Sequence, residues 1–242
     1  MTPEAVVAEL APTGTLRAGV NMSNFLLVTG KSANGDPEGV SPGMAAEIAR
    51  RLGVPVKYVP FPQPGPLADA AESNVWDIGL IGAEPARAEK ITFTAAYCEI
   101  QSTYLVPPNS PLKVIADVDK PGIRICNYGR SAYGLWIERN IKFATLVNAT
   151  SIDDSWDKFM SEKCDALTGL KPRLLTDVLK LPGARILDGQ FSAVQQAIGT
   201  QKKNRAGAAY LHAFVEEAKA SGFVASLIAK HKVVGLSVAP KA

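Results

Sequence analysis

One arginine, Arg87, has the sequence setting of a residue that binds a carboxylate. It lies in the segment DIGLIGAEPARAEKITFTAAY, residues 77–97, after an apolar run and before an FT-x-x-Y segment. A guanidinium offers a rigid fork of donors that matches the two carboxylate oxygens, and each charge-assisted hydrogen bond contributes about 1.5 to 3 kcal/mol. An arginine after a strand is more often a solvated surface residue. Which of these two interpretations is favoured depends on the other residues of the sequence.

The composition predicts a globular, soluble chain. It has 242 residues, 47% of them hydrophobic, which is enough for one large domain or two lobes. The 26 basic and 23 acidic residues give a net charge of +3 without long runs of like charge, so we expect no nucleic-acid partner. No apolar segment reaches the ~18 residues that span a bilayer, and the N-terminal segment lacks the pattern of a signal peptide.

The three cysteines predict neither a disulfide framework nor a metal site. Cys98, Cys126 and Cys164 are an odd set with wide spacing, which matches no metal-ligand pattern. We therefore expect three buried thiols. The sequence also has no apolar run followed by a phosphate-binding glycine motif. It therefore predicts no metal and no cofactor.

The first part of the chain predicts alternating strands and helices. Hydrophobic periodicity gives strands at 14–21, 54–61 and 75–82 and helices at 44–53 and 67–74. This order is typical of a parallel sheet with right-handed crossovers, in which ligands bind at the carboxyl ends of the strands. Asn21 and Asn24 end or follow the first strand, and Gly82 to Arg87 end or follow the third. Both loops should therefore lie at the same edge of the sheet.

A second unit is predicted to repeat this order. Its strands are expected at 121–129, 144–149 and 164–170, and its helices at 130–140, 153–162 and 172–183. Ser131 is well placed to cap the first of these helices. Extended segments at 98–107 and 184–199 connect the units, and residues 206–231 predict two further helices. We expect lobe 1 to comprise 1–106 plus 191–242, and lobe 2 to comprise 107–190.

The whole pattern resembles the family 3 extracellular solute-binding proteins, the polar amino acid receptors of ABC importers. The similarity rests on six segments in the right order, LRAGVN, AAEIARRLG, WDIGLIG, PARAEKITFTAAY, PGIRICNYGRSAYG and FVEEAKASG. It implies an α/β protein with the type II periplasmic binding fold, in which two lobes, each a mainly parallel sheet flanked by helices, are joined by two hinge crossings. It also implies a monomer that captures a small carboxylate-bearing molecule by hinge closure and delivers it to an ABC permease in the membrane.

The resemblance implies ligand contacts from both lobes. It places the carboxylate-binding arginine at Arg87, with backbone contacts from Gly82, Ala83 and Glu84. Glu84 either accepts a cationic ligand group or pairs with Arg87. In the second lobe it implies a hydroxyl and backbone N–H groups at a helix N-terminus, where Ser131 fits. The other candidates are Asn21, Asn24, Phe25, Arg130, Ala132, Tyr133 and Gln195, among which the two aromatic rings are more often core residues than ligand platforms.

One residue that the resemblance leads us to expect is missing. The acid that pairs with the ligand's ammonium group would lie near Leu170 by spacing from Asp165, and no carboxylate is present there. A buried ammonium without a counter-charge costs several kcal/mol. The ligand therefore either lacks an ammonium group or pairs with Glu84 or Glu99.

Two other functions and a second compartment stay open at this stage. The same fold can host an enzyme, such as a dehydratase acting on a cyclic carboxylic acid with Glu84 or Glu99 as the general acid, or a ligand-sensing domain. His212 and His231 both lie in the predicted C-terminal helices and form no catalytic grouping. The resemblance implies the periplasm. A chain that begins close to its first strand and has three unpaired cysteines is also compatible with the cytoplasm.

Overall fold

Strands and helices alternate along the chain, as the hydrophobic periodicity predicts. The computed structural model describes residues 4–242. The helices are α1 (Glu4–Leu10), α2 (Val40–Leu52), α3 (Pro64–Asp69), α4 (Pro85–Ala88), α5 (Ala132–Asn140), α6 (Ile152–Ser161), α7 (Lys171–Asp177), α8 (Arg205–Ala220) and α9 (Phe223–Lys230). Short 3₁₀ helices follow α3 and α7, at Ala70–Glu72 and Val178–Lys180, and a third lies at Ile115–Asp117.

The strands are β1 (Leu16–Asn21), β2 (Gly30–Lys31), β3 (Pro37–Glu38), β4 (Val56–Phe61), β5 (Ile78–Gly82), β6 (Ile91–Phe93), β7 (Cys98–Val106), β8 (Arg124–Tyr128), β9 (Thr145–Ala149), β10 (Ala166–Leu170), β11 (Arg185–Ile186), β12 (Ser192–Gln201) and β13 (Ser237–Val238). The chain divides into two compact units. Unit 1 comprises the chain up to Glu99 together with Gln195–Ala242, and unit 2 comprises Ile100–Val194.

In unit 1, β4, β1 and β5 form a parallel sheet in that order, and β12 joins β5 in the antiparallel sense. The sheet is close-packed around Trp76, which is fully buried and donates its indole N–H to the Leu67 carbonyl at 3.1 Å. A Cβ on Gly19 would lie 3.2 Å from the Trp76 ring. Glycine at this position of β1 therefore lets the indole lie directly against the strand.

Unit 2 has the same arrangement. Strands β9, β8 and β10 are parallel in that order, and β7 joins β10 in the antiparallel sense. Two apolar clusters pack on this sheet, one around Tyr104, Ile125 and Ile137 and the other around Leu105, Phe159 and Leu167. The prediction that each unit is a mainly parallel sheet flanked by helices is therefore confirmed. The predicted domain limits near 106 and 190 stay predictions.

Helix α1 and the hairpin formed by β2 and β3 were not predicted from the sequence. Helix α1 packs against α8 so closely that a Cβ on Gly207 would lie 2.6 Å from Leu10. The expected helix at 44–53 begins earlier, at Val40, because Pro42 is compatible with a first helical turn. Pro42 therefore lies within the first turn of α2 and not in the loop that precedes this helix.

The tyrosine of the FT-x-x-Y segment is a core residue of unit 1. Tyr97 is fully buried, and its hydroxyl forms a 2.8 Å hydrogen bond with the Ser41 hydroxyl of α2. Burial raises the pKa of Tyr97 above its usual range. The segment from Arg87 to Tyr97 thus combines a polar residue near a strand end with a residue that fixes the start of β7 against α2.

Candidate functional site

Arg87 is held in place by the last residue of the strand before it. It lies in the four-residue helix α4, begun by Pro85, and its side chain is buried, with only 6% of its surface exposed. Its Nη1 donates a 2.7 Å hydrogen bond to the Gly82 carbonyl at the end of β5. A guanidinium is a rigid plane of N–H donors, so this contact helps to fix the orientation of the whole group. The structure therefore holds the Arg87 side chain at the end of β5.

Backbone groups of the adjacent loop are used within unit 1. The Gly82 carbonyl accepts from Arg87, and the Ala83 N–H donates to the Gln195 carbonyl at 2.8 Å. The Glu84 carbonyl accepts from the Ala88 N–H. The expected backbone contacts from Gly82 and Ala83 to a ligand therefore compete with internal hydrogen bonds. Sequence spacing could not reveal this, because Gln195 reaches the loop only through the antiparallel pairing of β12 with β5.

The loop after β1 is shaped by its asparagines. The Asn21 side-chain oxygen accepts from the Ser23 N–H and hydroxyl, at 3.2 and 2.8 Å. Asn24 is buried, and its side-chain oxygen accepts from the Leu26 N–H at 3.2 Å. The side chain of Phe25, which directly follows Asn24, is 39% exposed. Both amides thus organise turns of the kind that asparagine favours, and Phe25 is the accessible apolar side chain of this loop.

The predicted convergence of the two loops is confirmed within unit 1. Strands β1 and β5 are parallel neighbours, with Val20 opposite Leu80 in the register. Their carboxyl ends, Asn21 and Gly82, consequently lie at the same edge of the sheet. Arg87 and Phe25 follow these two strand ends.

In unit 2, Ser131 caps helix α5 as predicted. Its hydroxyl accepts from the Gly134 N–H at 2.9 Å and donates to the Tyr128 carbonyl, the last residue of β8, at 2.7 Å. The side chain is buried, and its single proton is committed to that carbonyl. Ser131 thus fixes the turn, while the first backbone N–H groups of α5, beginning at Ala132, point toward the helix N-terminus.

Arg130 and Tyr133 lie on either side of Ser131 and differ in their exposure to solvent. Arg130 is exposed and adopts a left-handed backbone conformation with φ of 64°, which is uncommon for a residue with a side chain. Tyr133 is buried, packs edge-on against Tyr128 with ring centroids 6.4 Å apart, and has its pKa raised by burial. Its ring lines a small internal space of unit 2 beside Thr168 and Arg173. Tyr133 is therefore a core residue, the more common of the two roles weighed for it.

A chain of polar side chains across three strands of unit 2 was missed by the sequence reasoning. Asn127 of β8 is fully buried, accepts from the Thr168 hydroxyl of β10 at 3.0 Å, and donates to the Asn148 side chain of β9 at 3.1 Å. Their positions in the sequence could have indicated them, because each residue lies one or two places before the end of a predicted parallel strand.

The first charged side chains after β10 are basic. Leu170, where an acid was expected from the resemblance, is buried and is followed directly by Lys171. Arg173, two residues further on, forms ion pairs with Asp153 and Asp177 at 2.8 and 2.9 Å. Those two carboxylates are thus already paired within unit 2. Glu84 and Glu99, the other acids considered, are partly exposed and belong to unit 1.

Two general features of the described residues bear on function. Among residues 4–242, no three His, Cys, Asp or Glu side chains are grouped closely enough to hold a metal ion. Within the same range, no helix combines the length and apolar character that a membrane span requires.

Two α/β units, each with a polar loop at the carboxyl ends of parallel strands, define the type II periplasmic binding fold. The sequence profile of the bacterial extracellular solute-binding proteins, family 3, matches residues 16–233. The chain therefore belongs to that family, whose members are extracellular or periplasmic binding proteins. No curated protein sequence matches the chain.

Solved structures agree with this assignment of the fold. The solute receptor for L-cysteine of Neisseria gonorrhoeae has a TM-score of 0.75 and 19% identity, with 95% of each chain covered. The P235GK mutant of ArgBP from T. maritima has a TM-score of 0.73 and 21% identity over 94% of this chain and 99% of that one. The ancestral amino acid-binding protein AncCDT-1, a precursor of cyclohexadienyl dehydratase, has a TM-score of 0.72 and 20% identity over 93% and 98%.

Proposed function

We propose that this protein is the solute-binding receptor of an ABC importer and that it captures a small carboxylate-bearing molecule with Arg87 as the carboxylate ligand. The observation that supports this most directly is the state of Arg87, a buried guanidinium oriented by the Gly82 carbonyl at the strand-end edge of unit 1. A guanidinium matches the two oxygens of a carboxylate, to which it donates bidentate, charge-assisted hydrogen bonds. The structures of relatives that bind arginine, lysine or cysteine support a ligand of amino acid size.

We further propose that the ligand lacks a free α-ammonium group, because of the charge at the strand-end edge of unit 2. Arg130 and Lys171 follow the ends of β8 and β10, which are parallel neighbours with Cys126 opposite Leu167. Two cations at this edge would repel an ammonium and attract a second acidic or polar group. An organic acid or a dicarboxylate fits this distribution of charge better than a simple α-amino acid does.

A role in catalysis is the weaker candidate. The observation in its favour is the structural similarity to AncCDT-1, whose name includes a precursor of a dehydratase. A dehydratase needs a general acid in the site, and Glu84 is the acid closest in sequence to Arg87. A turnover assay on cyclic carboxylic acids, in which Glu84→Gln abolishes product formation, would establish catalysis in place of simple binding.

The proposal extends to the place of action. A receptor of this family would act in the periplasm or at the cell exterior, as a monomer that delivers its ligand to a permease in the membrane. Cell fractionation that recovers all of the protein in the cytosol would contradict the importer role, although it would leave the ligand site intact.

The proposal is tested by a thermal-shift screen of the ligand-stripped protein against α-amino acids, monocarboxylates, dicarboxylates and keto acids. A bound ligand stabilises the folded state by RT ln(1 + [L]/Kd), so true ligands raise the unfolding temperature. We expect hits among acids without an ammonium group. Hits confined to α-amino acids would disprove the proposed ligand class but leave the receptor role standing.

The Arg87→Ala variant then tests the anchor. We expect it to weaken binding of the best hit by about 2 kcal/mol or more, roughly 30-fold, because a charge-assisted bidentate contact is lost. Arg205→Ala, which removes an exposed arginine from the first turn of α8, is the matched control for net charge. Equal affinity of the two variants, measured by calorimetry, would remove Arg87 from the site.

A further inference from the structure

Cys126 and Cys164 are widely separated in sequence but are neighbours in unit 2. Both side chains are buried, with 0% and 2% of their surfaces exposed, and both belong to the apolar cluster that contains Phe159 and Leu167. Their spacing along the chain offers no reason to pair them, because cysteine spacing alone does not report spatial contact. The topology of unit 2 supplies the reason.

The pairing of β8 with β10 places the two cysteines in adjacent segments of unit 2. Cys126 lies in β8 opposite Leu167 of β10, and Cys164 lies three residues before Leu167, in the segment that leads into β10. The Asp165 N–H donates to the Arg124 carbonyl at 2.9 Å, which fixes the segment that precedes β10 against β8. The two thiols lie within hydrogen-bonding reach of each other, and Cys126 Sγ also donates to the Ser155 carbonyl of α6 at 3.1 Å.

The surroundings of the pair keep both thiols protonated in the folded protein. Burial raises the pKa of Cys126 to about 12 and also raises that of Cys164, where the nearby Arg124 acts in the opposite direction. Cys98, the third cysteine, is buried in β7 within unit 1 and has no second thiol in that unit.

We propose that Cys126 and Cys164 form a disulfide when the protein folds in the presence of a thiol–disulfide oxidant. The Cys164 thiolate attacks one sulfur of the oxidant disulfide, which forms a mixed disulfide and releases one reduced thiol. The Cys126 thiolate then attacks the Cys164 sulfur and displaces the second thiol. The two cysteines lose two protons and two electrons, and the oxidant disulfide is reduced to two thiols.

The bond restricts the unfolded chain. It closes a loop that contains α5, β9 and α6, and closure of a long loop lowers the entropy of the unfolded state. The Ser155 carbonyl, which loses its contact with the Cys126 thiol, lies inside α6 and keeps its regular helical partner four residues on. Unit 2 is thus more stable in the oxidised protein than in the reduced one, independently of any ligand.

The test uses the full chain, unfolded in denaturant and refolded either in a mixture of reduced and oxidised glutathione or in excess reductant. We expect the oxidised sample to lose two hydrogens in intact mass, to leave one thiol open to alkylation under denaturing conditions, and to yield a linked peptide containing Cys126 and Cys164. Its midpoint of thermal unfolding should exceed that of the reduced sample by about 5 °C or more.

Two variants separate this pair from the third cysteine. Cys98→Ser should still lose two hydrogens, whereas Cys164→Ser should lose none and should unfold at the same temperature in both buffers. Three alkylatable thiols after oxidising refolding, or a bridge that includes Cys98, would overturn the proposal. If Cys164→Ser does not fold, the thiol count and peptide map of the wild-type and Cys98→Ser proteins still decide it.

Discussion

The two units secure the loop after a central parallel strand in the same way but with different side chains. In unit 1, Arg87 donates to the carbonyl of Gly82, the last residue of β5, at 2.7 Å. In unit 2, Ser131 donates to the carbonyl of Tyr128, the last residue of β8, also at 2.7 Å. Each side chain ties the helix that follows the strand back to the end of that strand.

The difference lies in what each tie leaves available for a ligand. A guanidinium has five donors and a permanent charge, so Arg87 can hold Gly82 and still bind an anion. A serine hydroxyl has one proton. The Ser131 hydroxyl donates it in a hydrogen bond to the Tyr128 carbonyl and accepts a hydrogen bond from the Gly134 N–H. Under the proposed function, unit 1 therefore combines structure and recognition in one side chain. In unit 2, recognition would fall to backbone N–H groups and to the neighbouring cations.

The largest effect is expected from Gly134→Ala, which would break the tie in unit 2. A Cβ at this position would lie 2.1 Å from the Tyr128 carbonyl oxygen, so the first turn of α5 would have to move away from β8. We expect a loss of about 3 kcal/mol in the free energy of unfolding, the upper range for overpacking. The measurement is denaturant unfolding followed by circular dichroism.

Gly129→Ala is the control for this substitution. A Cβ there would meet its nearest neighbour at 3.6 Å, an ordinary contact distance, and the residue does not require a left-handed backbone. Its stability should stay within about 0.5 kcal/mol of the parent. If both variants were equally stable, the close contact between α5 and the end of β8 would not constrain the fold.

A smaller effect separates capping from recognition at Ser131. Ser131→Ala and Ser151→Ala each remove a helix cap in unit 2, because the Ser151 hydroxyl accepts from the Asp154 N–H at the start of α6 at 3.0 Å. Each should cost about 1 kcal/mol of stability. Under the proposed function, only Ser131→Ala should also weaken ligand binding, because Ser131 fixes the turn that presents the first backbone N–H groups of α5. Equal affinities in calorimetry would reduce Ser131 to a structural role.

Much of the fold was predictable from the sequence because it depends on local pattern. The apolar runs that became β1, β5 and β10 are short, bounded and fully or mostly buried, and the Ser131 cap follows from one residue type before a helix. The convergence of Asn21 and Gly82 followed from the parallel order of the strands alone. Arg87 was singled out as the candidate carboxylate ligand by its position after a strand, its spacing to Tyr97 and the resemblance to the family, and this role stays a prediction.

What the sequence did not show depends on partners that are distant along the chain. The Ala83 N–H is used by Gln195, and Cys126 meets Cys164, only because strands far apart in sequence pair in a particular register. Helix α1 was missed because its apolar face is short and is completed by packing on α8. Such contacts are set by tertiary structure, which hydrophobic periodicity does not encode.

The smallest expected effect tests why an arginine occupies a strained position in unit 2. Arg130 and Lys163 are both exposed and both have left-handed backbones, with φ of 64° and 51°. Glycine relieves this strain but makes the unfolded chain more flexible, so each change to glycine should stabilise unit 2 by only about 0.5 kcal/mol. If Arg130 attracts the ligand, Arg130→Gly should weaken binding while Lys163→Gly leaves it unchanged. A gain in stability with no change in affinity would instead mean that the strain at Arg130 serves no purpose in binding, and that the charge of Arg130 does not select the ligand.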